Sequence, residues 1–193
     1  MQLILGSRSP RRRELLAQFN VPFHACSPVF DEEAIPFSGD PTAYASTLAK
    51  GKGLSLQETY PQGVILTADT VVYKDGKIFN KPQNAEEAKS FLHFFANARQ
   101  MVYTAVCVTY NGHQFCEVEG TEVLFNELSE AQIDAYVAQN HWQGRAGGYT
   151  IQSMGGLLVN RIDGDFYNVV GFPLSKVQKL LLHVGIDLWN YLR

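Results

Sequence analysis

Leu3-Ile4-Leu5-Gly6-Ser7-Arg8-Ser9-Pro10-Arg11-Arg12-Arg13-Glu14-Leu15-Leu16 is the stretch from which the rest of the chain can be ordered. Its apolar start, Leu3 to Leu5, has the character of a short buried strand. Gly6 gives the chain room to turn. Pro10 suits the first position of a helix, because the N–H it lacks would be unpaired there anyway. Ser9 is the matching N-cap, and the helix is expected from Pro10 to about Phe19. The anomaly is the charge. Arg11, Arg12 and Arg13 crowd a helix start where the macrodipole is already positive, at a cost of about 0.3–1 kcal/mol each. A strand, a tight loop, two hydroxyls (Ser7 and Ser9) and a cationic helix N-terminus make an anion site.

The chain around this stretch has 193 residues, 46% of them hydrophobic and 12% aromatic. That length suits a single domain, residues 1–193, with a sizeable core. The net charge of -3 argues against a nucleic-acid partner, which needs a basic face, but leaves room for a local basic pocket. No apolar run approaches the ~18 residues of a membrane span, and the N-terminal run is too short and wrongly flanked for a signal peptide. A cytoplasmic protein is the expectation. The three cysteines, Cys26, Cys107 and Cys116, lack metal spacing. Asn111-Gly112 is a two-residue hairpin turn, whose register sets Cys107 opposite Cys116. Their sulfurs are expected close together and reduced.

Further along, Asp40-Pro41 is a cap followed by a first-position proline, opening a helix to about Glu58. In it Lys52 lies one turn past Leu48 and can enter a cleft, while Lys50 points to solvent. Val64-Ile65-Leu66-Thr67-Ala68 is apolar without alternation, as in a central strand covered on both faces, and it runs on into Asp69-Thr70-Val71-Val72. Asp75-Gly76 is a hairpin turn. Asn84 and Ser129 open two more helices through capping boxes, ending near Ala96 and Gln139. Val102–Tyr110 and His113–Phe125 form the long hairpin. Residues 144–152 are a glycine-rich loop. Leu157–Ile162 and Phe166–Val170 are expected as a second hairpin about Asp163-Gly164, and Pro173 starts the last helix. Helices mixed with hairpins indicate an α/β fold with a mixed sheet.

Asp69 is the candidate acid. It follows a buried strand, in the position where open α/β sheets bind ligands, and it can hold Mg²⁺ or take a proton from water. Lys81, held extended by Pro82, and the acidic run Asp31-Glu32-Glu33 add a cation and further oxygen ligands. The five histidines show no zinc spacing, and neither a Walker A loop nor a GxGxxG motif is present. Several cations, a placed carboxylate and a glycine-rich loop suit metal-assisted hydrolysis of a phosphate ester or anhydride.

These residues carry a family resemblance. Ser7-x-Ser9-Pro10-Arg11-Arg12-x-Glu14-Leu15-Leu16, Leu48-Ala49-x-x-Lys52, Ala68-Asp69-Thr70-Val71-Val72, Lys81-Pro82, Ala146-Gly147-x-Tyr149-x-Ile151-Gln152 and Gly164-x-x-x-Asn168-Val169-Val170-Gly171-x-Pro173-Leu174 resemble the Maf family in order. The resemblance implies a cytoplasmic nucleoside triphosphate pyrophosphatase that cleaves between the α- and β-phosphates. It implies an elongated mixed α/β fold related to the inosine triphosphatases, a divalent cation (Mg²⁺ or Mn²⁺), and often a homodimer. Ala68-Asp69-Thr70 and Ile151-Gln152 resemble the dTTP/UTP subgroup, whereas the 7-methyl-GTP subgroup tends to carry Ser-Asp-Gln and a Glu in place of Gln152. An amide both donates and accepts, as a thymine or uracil edge requires. The roles implied are triphosphate binding by Ser7, Ser9, Arg12, Arg13, Lys52 and Lys81, and metal binding by Glu32 and Asp69. Asp69 is the implied base, and Arg12, Thr70 and Gln152 select the nucleotide. A non-hydrolytic role in septum formation is the rival from another class. Gly53, where the family usually has Ala, is among the departures.

Overall fold

The structure, a computed structural model, describes residues 1–192. The elements in order are β1 (Leu3–Gly6), α1 (Pro10–Ala17), β2 (Phe23–Cys26), α2 (Pro41–Gln57), β3 (Val64–Lys74), β4 (Lys77–Phe79), α3 (Ala85–Phe95), β5 (Arg99–Tyr110), β6 (His113–Phe125), α4 (Glu130–Ala138), β7 (Val159–Asp163), α5 (Phe166–Val170) and α6 (Leu174–Leu182). Seven strands make one sheet in the order β2-β1-β3-β5-β6-β7, with β4 also paired to β3. β1 runs parallel to both β2 and β3, Leu3 lying beside Phe23 and Val64. β4 and β7 pair antiparallel to β3 and β6. The fold is therefore α/β with a mixed open sheet, as the sequence indicated. The apolar run of β3 is a central strand, buried continuously from Val64 to Asp69.

The chain divides into two compact units. The first holds residues 1–69, 104–119 and the segment from Gly171 onward; the second holds 70–103 and 120–170. In the first, Ile4 of β1, Leu56 of α2 and Ile65 of β3 share a small buried cluster. The second has an aromatic core. Phe95 packs edge-on against Phe79, Phe125 and Tyr149, with ring centroids 4.9, 5.8 and 6.0 Å away. Such offset geometries add about 0.5–1.5 kcal/mol per pair beyond the area they bury.

Local sequence signals explain most boundaries. Ser129 and Gln132 form a reciprocal capping box on α4. Asn111 and Gly112, with φ of 49° and 77°, make the left-handed turn that suits a two-residue hairpin. Cys107 and Cys116 accordingly face each other with Cα atoms 4.2 Å apart, but they are joined as a disulfide and not left as thiols. Cross-strand pairs approach to about 4.5 Å where the ladder bonds are absent, so the register itself brings the sulfurs within bonding reach.

Two further expectations change. The second half of the last predicted hairpin is a helix, α5. The Asp165 carboxylate accepts from the Tyr167 and Asn168 N–H groups at 2.6 and 3.2 Å, and this cap turns the chain into a helix where Gly164 had suggested a strand turn. At α1, Ser9 occupies the cap position but its side chain makes no cap bond. Its N–H instead donates to the Ser7 hydroxyl at 3.1 Å.

The Asp40 cap of α2 is testable. Its carboxylate accepts from the Thr42 N–H, the Thr42 hydroxyl and the Ala43 N–H at 2.8, 2.7 and 3.1 Å. The hydroxyl first, then the two N–H groups, hold its pKa below the usual carboxylate value. A depressed folded-state pKa contributes stability above the unfolded pKa and loses it as pH falls through the folded one. Asp40→Ala should therefore lower the urea midpoint at neutral pH, and the difference from the parent should vanish in strong acid.

Candidate active site

β3 and α2 bring the chemistry together in the first unit. Asp69 ends the buried run of β3, and Lys52 projects from the buried side of α2, where its position relative to Leu48 had placed it; Lys50 is exposed. The Lys52 ammonium bonds the Asp69 carboxylate and lies 3.1 Å from Oε1 of Glu32, in the acidic loop after β2. Thr67, two residues before Asp69, donates its hydroxyl to the Ala49 carbonyl of α2 at 2.8 Å, so strand and helix are pinned where the pair forms. The side chains of Lys52 and Asp69 are 7% and 9% exposed, against 38% for Glu32. Glu32 is thus the more solvent-exposed of the two carboxylates.

Burial dominates the electrostatics. Desolvation raises the pKa of Asp69, opposed by the Lys52 charge and hydrogen bond and then by Arg12, while Glu32 adds to the rise. The partners do not fully offset the loss of water, as is common for buried ion pairs. Asp69 therefore holds its proton to a higher pH than an exposed aspartate, which makes it a stronger base once ionised.

Arg12 has a different position from a phosphate ligand reaching into solvent. Its Nε donates to the Gly171 carbonyl at 2.8 Å and its Nη1 to the Ala68 carbonyl at 2.7 Å, with the Ser7 hydroxyl 3.5 Å away. One guanidinium thus ties the β1–α1 loop, the end of buried β3 and the start of the α6 segment. Burial lowers its pKa, against the attraction of Asp69 and Glu32, yet a guanidinium stays charged at any physiological pH. The Ser7 N–H donates to the Cys26 carbonyl at 2.9 Å. With the Ser9 N–H bonded to the Ser7 hydroxyl, one of these backbone donors ties the loop to β2 and the other closes the loop on itself. Arg13 is exposed on α1.

The second unit carries the remaining candidates. Thr70 follows Asp69 along β3 and Lys81 is exposed after β4. Gln152 lies in the glycine-rich loop, its N–H donating to the Thr150 hydroxyl at 3.2 Å. Gly147 adopts φ +69°, and a Cβ there would stand 2.8 Å from Val72. Its N–H donates to the Asn80 carbonyl at 3.0 Å. The loop is thereby laid on β3 two residues from Thr70, and bonded to the residue before Lys81. Sequence reasoning passed over the anchors. Asn168 is fully buried and donates to the Val102 carbonyl at 2.9 Å and the Thr121 hydroxyl at 2.8 Å. Only its motif position could have flagged it.

Among the described residues no group of three or more His, Cys, Asp or Glu side chains converges. Glu32 and Asp69, gathered on one ammonium, supply two carboxylates. That is the donor set Mg²⁺ uses when substrate phosphates complete its shell, so the residues fit a divalent ion that arrives with an anionic substrate.

The Asp69 carboxyl should titrate above the ordinary value of about 3.9, as read from ¹³C-labelled aspartate. Lys52→Met removes the charge and hydrogen bond that restrain the rise and should lift it further. A value at or below the ordinary one in that variant would refute the account. With a raised folded-state pKa, the Asp69 contribution to stability is largest below the unfolded pKa and declines as pH rises through the folded one.

A family model described as Maf-like protein matches residues 2–184. A Chlamydia caviae protein named dTTP/UTP pyrophosphatase is 43% identical over 192 residues, covering 99% of this chain and 98% of its own. Proteins of the same name from Lacticaseibacillus casei and Acholeplasma laidlawii are 42% and 39% identical, covering 93% and 95% of this chain and 97% of their own lengths. Among the described residues no helix is long and apolar enough to cross a membrane. On both the family match and these near-full-length relatives, the chain belongs to the Maf-like protein family.

Proposed function

We propose that this protein is a nucleoside triphosphate pyrophosphatase acting on dTTP and UTP, which it converts to the monophosphate and pyrophosphate. The observation that carries the reading is the buried Asp69–Lys52 pair with Glu32 beside it, in a chain whose near-full-length relatives bear that activity in their names. Asp69 accepts a proton from the water whose oxygen attacks the α-phosphorus. The bond from that phosphorus to the bridging oxygen breaks, and pyrophosphate departs with the electron pair. Lys52 and Lys81 offset the charge that grows on the leaving group. Ser7, Ser9 and Arg13 at the start of α1 add donors and charge, and Arg12 contributes its field while holding Ala68 in place. Glu32 and Asp69 would hold Mg²⁺ or Mn²⁺, which neutralises phosphate charge when bound.

Base selection falls to Gln152 with Thr70 and Arg12. The Gln152 amide can donate to a ring carbonyl and accept from the adjacent N–H, a pattern shared by thymine and uracil. A cytoplasmic location and a homodimer belong to the same reading, supported by the family resemblance.

Incubation with a panel of nucleoside triphosphates and Mg²⁺ or Mn²⁺, followed by chromatography, tests the reaction. Monophosphate and pyrophosphate from dTTP and UTP are the expected products. Diphosphate plus phosphate would overturn cleavage between the α- and β-phosphates, preference for 7-methyl-GTP would overturn the base assignment, and binding without turnover would favour a regulatory protein. Asp69→Asn should lower kcat by at least about 100-fold, the range general-base catalysis supplies; near-normal turnover in that variant would remove Asp69 from the role.

A further inference from the structure

Lys52 follows a glycine in the middle of α2. Glycine inside a helix is destabilising relative to alanine, so Gly51 calls for a reason in the packing. A Cβ at this position would stand 2.3 Å from both Cε2 and Cζ of Phe30 and 3.0 Å from Cδ2. The Phe30 ring lies directly on bare helix backbone. Phe30 is two residues before Glu32, and Gly51 is one residue before Lys52, the partner of Glu32 at 3.1 Å. The contact therefore sits beside the ion pair on both segments, the loop and the helix. Upstream, Arg8 Nη2 donates to the Pro28 carbonyl of the same loop at 3.5 Å. The Glu32 side chain is 38% exposed and sits on a loop, so its approach to Lys52 depends on how that loop is seated, and the Phe30 ring on the helix is such a seat.

We propose that Phe30 and Gly51 are positioning residues for Glu32: the ring, seated where only glycine leaves space, holds the acidic loop so that the Glu32 carboxylate stays at the Lys52–Asp69 pair. This rests on the reading of that pair as the reaction centre. Gly53 provides a contrast, because a Cβ there would meet the Thr109 hydroxyl at 2.4 Å and strain the same helical turn without touching Phe30.

Two readouts test the inference. The first needs no turnover. A Glu-specific protease should cut after Glu32 and Glu33 several times faster in Gly51→Ala than in the parent or in Gly53→Ala. Adding Phe30→Leu to Gly51→Ala, which makes room for the new methyl, should slow cleavage again. The second is a kinetic cycle with dTTP. Gly51→Ala should lower kcat/KM by up to about 100-fold, as small misplacements in active sites do, and this loss should disappear in a Glu32→Gln background. Parent-like cleavage in Gly51→Ala, equal acceleration in Gly53→Ala, or a kinetic loss that persists in Glu32→Gln would each overturn the proposal. A parent protein that hydrolyses no nucleoside triphosphate would defeat the functional reading instead, and the protease series alone would then decide whether the seat holds the loop.

Discussion

A lysine and an aspartate, each almost withdrawn from water, form the pair on which the site depends. Lys52 and Asp69 come from different kinds of element, a helix and a central strand, and each would be costly to bury alone. Their contact requires α2 to lie close on β3. The Thr67 hydroxyl, bonded to the Ala49 carbonyl, fixes that approach from the strand side. Because desolvation outweighs the attraction at Asp69, the pair stores a tendency to accept a proton. That tendency is what the proposed role of Asp69 as a general base would draw on.

Arg12 shows how the same economy extends to the loops. An arginine in the first turn of a helix is poorly placed with respect to the helix dipole. Here its guanidinium turns back to the carbonyls of Ala68 and Gly171, where a planar fork of donors can satisfy two acceptors at once. The unfavourable position along the helix is offset by bonds made off it. The carbonyl of Ala68 belongs to the residue before Asp69, so this cation steadies the catalytic candidate through the backbone as well as by charge.

Much of the fold was legible because local signals agreed with the final packing. Asp40-Pro41, Asn84 with Glu87 and Ser129 with Gln132 opened helices where capping chemistry predicted them. Asn111-Gly112 set the register that aligned Cys107 with Cys116. Where reading failed, a competing local bond had won. Asp165 used its carboxylate to cap α5, which no alternation of apolar residues around Asp163-Gly164 revealed. The expectation that the two cysteine sulfurs stay reduced also failed: the register brought them together, and they are joined as a disulfide. In the site, Asp69 and Lys52 stood out singly by position on a strand and on a helix face, but nothing in their spacing of seventeen residues could show that they touch.

The sequence by itself determined the elements and the cast of chemical groups, because caps, turns and apolar runs act over a few residues and need no distant partner. Its motif order also sufficed to place the chain in its family. Tertiary structure alone decided which groups share an environment. It turned Arg12 from a free cation at a helix start into a clamp on backbone carbonyls, and it left Glu32 open while closing Lys52 and Asp69 from water. It also gave Gly51 a purpose, since the space a missing Cβ leaves has meaning only once a ring from another part of the chain fills it. Burial, and with it the strength of every charge in the site, is a property of neighbours distant in sequence.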